Sequence, residues 1–193
     1  MPGLSAPSAN QFGRVSPTQA RHVHSEFGDA LLVLDGGECE VGIESTIVDC
    51  TRGAPVLLRP GQITRVQIEA ACGQPLQDPA ALAQPTPKAS GTLASHYAPR
   101  AQVRLMDAAT LAQRLQALGP HANNLGLWSR QAPGGGAGVL WRQQADQART
   151  AAHDLFAVLR DLDARGVQQI WVELPPDTPE WEGVRDRLQR AAA

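Results

Sequence analysis

Lysine is almost absent from this sequence, because Lys88 is the only one among its 17 basic residues. No lysine lies near the polar motifs described below, so a point charge for a phosphate has to come from arginine there. The formal net charge is −2, and this balance gives no electrostatic footprint for non-specific binding to nucleic acid.

Cysteine and long apolar runs are scarce as well. The three cysteines, Cys39, Cys50 and Cys72, have no CxxC spacing, which disfavours a disulfide framework or a zinc site and favours reduced thiols. No apolar run exceeds five residues, as in ALLVL, and this is far below membrane-spanning length. The opening MPGLSAPSAN lacks the basic and hydrophobic segments of a signal peptide. These features predict a cytoplasmic protein, and the five scattered histidines predict no protein-bound metal.

The first part of the chain, residues 1–75, alternates glycine-rich turns with short β-like runs, ALLVL, STIVDC and PVLLR. The segment SPTQ predicts a helix with Ser16 as its N-cap and Gly28 at its end. A second short helix is predicted after Thr64, with Ile68 facing inward.

The rest of the chain has two different characters. Residues 76–99 are rich in proline, alanine and serine and predict an extended linker that ends in SHYAP. In residues 100–193, strand-like and helix-like segments alternate, which predicts a mainly parallel sheet with right-handed crossovers. A helix is predicted at Ala108–Leu118, and Asp146 is predicted to cap a second helix, whose apolar face includes Leu155, Phe156, Leu159 and Leu162. The glycine run at 134–136 predicts a flexible surface loop, since it lacks the Lys-Ser/Thr of a P-loop.

Candidate binding residues cluster in the first part of the chain. In SAPSAN, Ser8 and Asn10 can hydrogen-bond either to a ligand or to their own turn. Ser16 can cap a helix, and the same helix N-terminus is suited to a phosphate, so its two roles are compatible. Ser45, within GIEST, either faces a ligand at a strand mouth or lies in an edge bulge. Arg59, within LLRPG, is suited to a phosphate or carboxylate, or to a structural ion pair.

Five motifs occur here in one order: APSAN-x-x-G-x-x-SPT, LDGG, GIESTIVD, LLRPG and SHYAP. On these motifs the chain resembles the threonylcarbamoyl-AMP synthase family, in its form with a YrdC-like domain, a linker and a smaller C-terminal domain. The resemblance implies an α/β fold with three parts: the C-terminal part of a YrdC-like catalytic domain with a twisted mixed sheet at 1–75, the linker at 76–99, and a small Rossmann-like domain with a mainly parallel sheet at 100–193.

The resemblance also implies a function. Members of the family are nucleotidyltransferases that combine L-threonine, bicarbonate and ATP into threonylcarbamoyl-AMP and pyrophosphate, for the threonylcarbamoyladenosine modification of tRNA. Magnesium is expected to arrive with ATP, and tRNA and the threonylcarbamoyl-transfer machinery are expected partners. No catalytic side chain is implied, because forming an acyl adenylate needs no protein nucleophile.

The motifs of the family carry over to seven positions of this sequence. The residues implied at ATP are Ser8, Asn10, Ser16, Arg59 and Tyr97. The residues implied at threonine are Ser45 and the backbone near Ala6.

One departure from the family pattern sets a further expectation. SAPSAN lies deep inside the YrdC-like domain of the family, after a half that bears a Lys-x-Arg phosphate motif, and that half has no counterpart here. A truncated synthase with little or no activity of its own is therefore expected. The alternatives are a non-catalytic nucleotide- or RNA-binding remnant of the family, and a relative of the carbamoyltransferases with YrdC-like domains, which the SHYAP linker disfavours.

Overall fold

The computed structural model describes residues 9–82, 87, 89–118, 124–134 and 138–193. The helices are α1 (Ala20–Phe27), α2 (Arg65–Cys72), α3 (Ala108–Leu118), α4 (Ala148–Ala164) and α5 (Glu182–Ala191), and the strands are β1 (Ile47–Asp49), β2 (Val56–Arg59), β3 (Gln102–Met106), β4 (Leu125–Ser129), β5 (Val139–Gln143) and β6 (Gln169–Glu173). None of the helices in this part of the chain has both the length and the apolar character needed to traverse a lipid bilayer.

The larger sheet has four strands in the order β3-β6-β4-β5, and each neighbouring pair is parallel. Every residue of β4 is buried, as expected for a strand covered by helices on both faces. The core of this sheet lies against α4, where the four predicted apolar residues all have no exposed surface: Leu155, Phe156, Leu159 and Leu162. The predicted α/β fold and its parallel sheet are confirmed.

The smaller sheet pairs β1 and β2 in antiparallel register, and a parallel bridge joins Val56 to Gln77. The predicted mixed sheet is thus, among the described residues, a small antiparallel sheet with one isolated parallel bridge beside it. The predicted strand at ALLVL is wrong, because these residues have no strand assignment and Leu32 and Leu34 are 87% and 82% exposed. Among the described residues this run takes part in no strand pairing, and an unpaired strand has no partner for its backbone hydrogen bonds.

The predicted helix ends are partly confirmed. Thr64 caps α2 through a capping box with Gln67, and Ile68 is half-buried. In contrast, Ser16 is not the N-cap of α1, which begins after Gln19. Asp146 does not cap α4 either, since the N-cap position belongs to Gln147 and carries no side-chain hydrogen bond.

Two glycines allow the first part of the chain to approach α4 and α5 closely. A Cβ atom built on Gly42 would lie 2.2 Å from the carbonyl oxygen of His153, in α4. A Cβ atom on Gly183, in α5, would lie 2.9 Å from Ile43 and 3.1 Å from the carbonyl oxygen of Gly61. At position 42 a Cβ atom would overlap the backbone of α4, so this position depends on the missing side chain. At position 183 it would displace the Ile43 side chain and crowd the backbone of Gly61.

Candidate functional site

The predicted site residues fall into two groups. Ala6 and Ser8 lie outside the described residues, and their predicted roles stay predictions. Asn10 donates hydrogen bonds from its side-chain amide to the carbonyl oxygens of Gln11, at 3.1 Å, and Arg14, at 3.3 Å. These contacts are those of a local turn, which is the alternative that the sequence left open for this residue.

Ser16 takes part in a chain of polar contacts that begins in the first part and ends in α5. Its hydroxyl donates to Oε1 of Glu44 at 2.6 Å, and the other oxygen of that carboxylate accepts from Nε of Arg187 at 2.9 Å. Because a hydroxyl has one hydrogen, donation to Glu44 leaves its lone pairs free to face a ligand. Ser16 therefore keeps an acceptor that its contact with Glu44 does not use.

The Glu44 carboxyl stays ionised in this setting. Burial acts to raise its pKa, but the Arg187 guanidinium and the hydrogen bond from Ser16 outweigh burial and hold the pKa below its usual value. An ionised carboxylate accepts hydrogen bonds and cannot donate them. Ser16 is therefore the donor and Glu44 the acceptor in the hydrogen bond between them.

Arg59 holds together two segments that are far apart in sequence. Its Nε and Nη2 donate to the carbonyl oxygen of Ser45 at 3.1 and 2.9 Å, and its Nη1 donates to the carbonyl oxygen of Ser90 at 2.8 Å. The side chain is 5% exposed. Arg59 thus ties the GIEST segment to the linker, and its hydrogen bonds are made mainly to the protein backbone.

Tyr97 lies against the same group of residues. It is 1% exposed, its ring centroid is 5.2 Å from that of Phe156, and its backbone has φ 61°. Such a left-handed conformation is strained for an aromatic residue and persists only when the surrounding structure enforces it. The phenol oxygen is buried and has no hydrogen-bond partner among the described residues.

The polar groups at Tyr97 and Arg59 are close to each other. A Cβ atom built on Gly91 would lie 2.0 Å from the phenol oxygen of Tyr97 and 3.1 Å from Nη1 of Arg59. Burial is the main cause that raises the pKa of Tyr97, with a smaller contribution in the same direction from Glu44. The structure therefore brings Ser16, Ser45, Arg59 and Tyr97 together through Glu44, Gly91 and α5.

The sequence reasoning missed Arg187. The residue has no exposed surface, and it shares the buried face of α5 with Val184, Leu188 and Ala191. These positions follow the three- and four-residue spacing of one helix face. An arginine at a core position of an amphipathic helix was the signal that could have identified it.

Three cavities among the described residues have other linings. A cavity of about 1160 Å³ lies at the carboxyl ends of β4 and β6, beside α3, and its polar lining includes Arg130 and Glu173. Two smaller cavities, of about 540 and 570 Å³, lie beside α5 and α2. None of the three is lined by Ser16, Ser45, Arg59 or Tyr97. The linker packs against the cluster, because Tyr97 is buried there and Ser90 accepts a hydrogen bond from Arg59.

Known families and relatives match almost the whole chain. Residues 63–193 match the family described as "Threonylcarbamoyl-AMP synthase, C-terminal domain", and residues 1–61 match one described as "Telomere recombination". The threonylcarbamoyl-AMP synthase of Bacillus subtilis is 35% identical over 98% of this chain and 57% of its own length. That of Pyrococcus abyssi is 33% identical, with the same two coverages, 98% and 57%.

Solved structures agree with the sequence relatives. The crystal structure of P. abyssi Sua5 complexed with L-threonine is similar with a TM-score of 0.82 and 30% identity, over 96% of this chain and 56% of that chain. A variant of the same protein gives a TM-score of 0.82 and 28% identity. The chain thus spans little more than half the length of the relatives it matches. With a family match across residues 63–193 and this shared fold, the chain belongs to the threonylcarbamoyl-AMP synthase family.

Proposed function

We propose that this chain forms part of an enzyme that joins L-threonine, bicarbonate and ATP into threonylcarbamoyl-AMP and pyrophosphate. The observation that carries the proposal is the packing of Ser16, Ser45, Arg59 and Tyr97 into one cluster, in a chain whose relatives are named for this reaction. The L-threonine named with the P. abyssi structure supports threonine as the amino-acid substrate.

The reaction places three demands on such a site. The amino group of threonine and bicarbonate first condense to a carbamate with loss of water. A carbamate oxygen then attacks the α-phosphorus of ATP while the bond to pyrophosphate breaks, so the two reactants must be held in line. The developing negative charge on the phosphate must be stabilised. Water must be excluded, because a free carbamate decomposes and an acyl adenylate hydrolyses.

The described residues are suited to these demands in different ways. Arg59 fixes the Ser45 segment and keeps a permanent positive charge beside it. Ser16 offers an acceptor, which suits a hydroxyl or amino group of a substrate better than a phosphate oxygen. Tyr97 covers the cluster, and we propose that its segment acts as the lid that excludes water. Asn10, Ser8 and the backbone near Ala6 remain proposed contacts to ATP and threonine.

Magnesium is proposed to enter with ATP. Within the described ranges there is no group of three or more histidine, cysteine, aspartate or glutamate side chains that could hold an ion. ATP phosphates supply the oxygen ligands that magnesium prefers. The same proposal includes action on tRNA together with the transfer machinery, and a cytoplasmic location. It also includes the division of the chain into parts at 1–75, 76–99 and 100–193.

The proposal predicts that this chain alone releases little or no pyrophosphate. Phe12, Leu32 and Leu34 are each more than four-fifths exposed, at 86%, 87% and 82%, so these apolar side chains are available for contact with further protein. The test measures pyrophosphate and threonylcarbamoyl-AMP from ATP, threonine and bicarbonate. The chain is assayed alone and with the N-terminal half of the B. subtilis relative supplied as a separate polypeptide.

We expect product only when both polypeptides and all three substrates are present. Omission of threonine is the matched control, because it separates synthase turnover from ATP hydrolysis. Robust turnover by the chain alone would refute the idea that its site is incomplete. ATP binding by the mixture without any threonine-dependent product would instead favour the non-catalytic nucleotide-binding alternative.

A further inference from the structure

Arg187 is a buried charge that contacts three separate segments of the chain. Its Nη1 donates to the carbonyl oxygen of Pro60 at 2.6 Å and to Asp186 at 2.9 Å. Its Nη2 donates to the carbonyl oxygen of Glu44 at 3.2 Å, beside the Nε contact to the carboxylate of the same residue at 2.9 Å. Every nitrogen of the guanidinium is thus bound, which a fully buried charge requires.

The same guanidinium lies over the linker aromatic residue. Its central carbon is 5.5 Å from the centroid of the Tyr97 ring, within the range of a cation–π contact. The neighbouring Arg190 donates to the carbonyl oxygen of Leu93 at 2.5 Å and accepts from the backbone N–H of His96 at 3.2 Å. One face of α5 therefore contacts the linker at residues 93–97.

These contacts place Arg187 between two parts of the cluster. On one side it fixes Glu44, and through Glu44 the direction of the Ser16 hydroxyl. On the other side it contacts the ring of Tyr97. Because all these groups are buried or half-buried, losing the guanidinium would leave the Glu44 carboxylate without its cationic partner.

We propose that Arg187 is a positioning residue through which the C-terminal α/β unit sets the geometry of the nucleotide site. Arg187 acts by orienting Glu44 and Tyr97 and has no contact of its own with the reacting atoms. The α/β unit is then needed to hold Glu44 and Tyr97 in the orientations that the site requires. Only the nucleotide-binding part of this inference rests on the proposed function.

The test compares four variants with the unchanged protein. Arg187→Met keeps a long unbranched side chain and removes the charge, Glu44→Gln keeps the shape of the carboxylate, and the third variant combines both. Arg185→Met is the matched control, since Arg185 lies on the same helix but contacts Pro175 and Asp177. All measurements are made well below the lowest unfolding temperature of the set.

The first readout is backbone hydrogen–deuterium exchange, which needs no assumption about function. For Arg187→Met we expect exchange to accelerate about tenfold or more at residues 43–46 and 93–97, with the amides of β4 unchanged. The control should resemble the unchanged protein. No change at either segment would show that Arg187 does not hold these segments in place. A uniform acceleration across the chain would show a merely structural role. Either result would overturn the inference.

The second readout is the dissociation constant for ATP from calorimetry, with the N-terminal half of the relative present. Losing one charge-assisted contact should weaken binding by about tenfold to a hundredfold. Arg187→Met should lose at least as much as Glu44→Gln, because it also removes the contact with Tyr97. The double variant should lose no more than Arg187→Met, because the Glu44 contact acts through Arg187. Additive losses would overturn the inference. If the unchanged protein binds no ATP, the proposed function fails, while the exchange readout still decides the role of Arg187.

Discussion

His22 should make the stability of this protein fall steeply in mild acid. The residue is 7% exposed, in α1, and burial, with help from Arg160 and Arg21, lowers its pKa from 6.5 to about 4. The structure supports this independently, because Nδ1 of His22 accepts a hydrogen bond from the backbone N–H of Thr18 at 3.1 Å. Protonation of Nδ1 would remove that acceptor.

The magnitude follows from linkage between protonation and folding. A base with a lowered pKa in the folded state gives full stability above the unfolded pKa, near 6.5, and loses it as the pH falls toward about 4. At about pH 5 the unfolded state is mostly protonated at this residue and the folded state is not, which removes about 2 kcal/mol. The limiting loss, below both pKa values, is about 3 kcal/mol.

The assay is urea unfolding followed by circular dichroism between about pH 8 and pH 5. His22→Asn keeps a hydrogen-bond acceptor the same number of bonds from Cα and cannot titrate, so its free energy of unfolding should depend less on pH. His24→Asn is the matched control, since His24 lies on the same helix with a side chain that is 63% exposed. Parallel curves for the protein and for His22→Asn would refute the reasoning, as would a His22 pKa near 6.5 measured by NMR.

Two glycine substitutions test the packing of the cluster and of the two parts. Gly91→Ala should destabilise the fold by about 2–4 kcal/mol, because the new Cβ meets Tyr97 and the backbone is left-handed with φ 73°. Adding Tyr97→Phe should recover most of the steric share, because it removes the oxygen at 2.0 Å, but not the backbone share. Additive losses in urea unfolding would contradict this. Gly42→Ala should separate the first part of the chain from α4, which small-angle X-ray scattering would detect as an increased radius of gyration, whereas Gly36→Ala, with open space around it, should leave the radius unchanged. Equal radii for these two variants would show that the contact at position 42 is not required.

Local sequence patterns determined the elements that could be predicted well. α3 occupies the predicted residues Ala108–Leu118, and α2 begins at the predicted capping box. The apolar face of α4 is buried as its spacing indicated. In each case neighbours within one or two helical turns decide the structure, so the sequence window contains the needed information.

The misses share a different cause, which is a partner far away in sequence. Ser16 was expected to cap α1, but its hydroxyl is bound to Glu44, 28 positions later. ALLVL has the composition of a strand but no neighbouring strand among the described residues. Arg187 pairs with a carboxylate 143 positions earlier, and no local pattern records such a contact. For the candidate site, the motif residues could be predicted from the sequence, whereas the contacts that join them could be seen only in the fold.

The close fit at Gly42 and Gly183 restricts how substrates could reach the cluster. At Gly42 the first part of the chain lies against the backbone of α4, and at Gly183 α5 lies against Ile43 and Gly61, so the two halves of the molecule have little room to slide past one another. An entrance has to open elsewhere. The segment around Tyr97 is held by two backbone hydrogen bonds, from His96 to Arg190 and from Ala98 to Gly13, and by the side chains of Arg187 and Arg190. Substrate entry and product release are therefore expected to require displacement of this linker segment around Tyr97, while the two halves stay in contact.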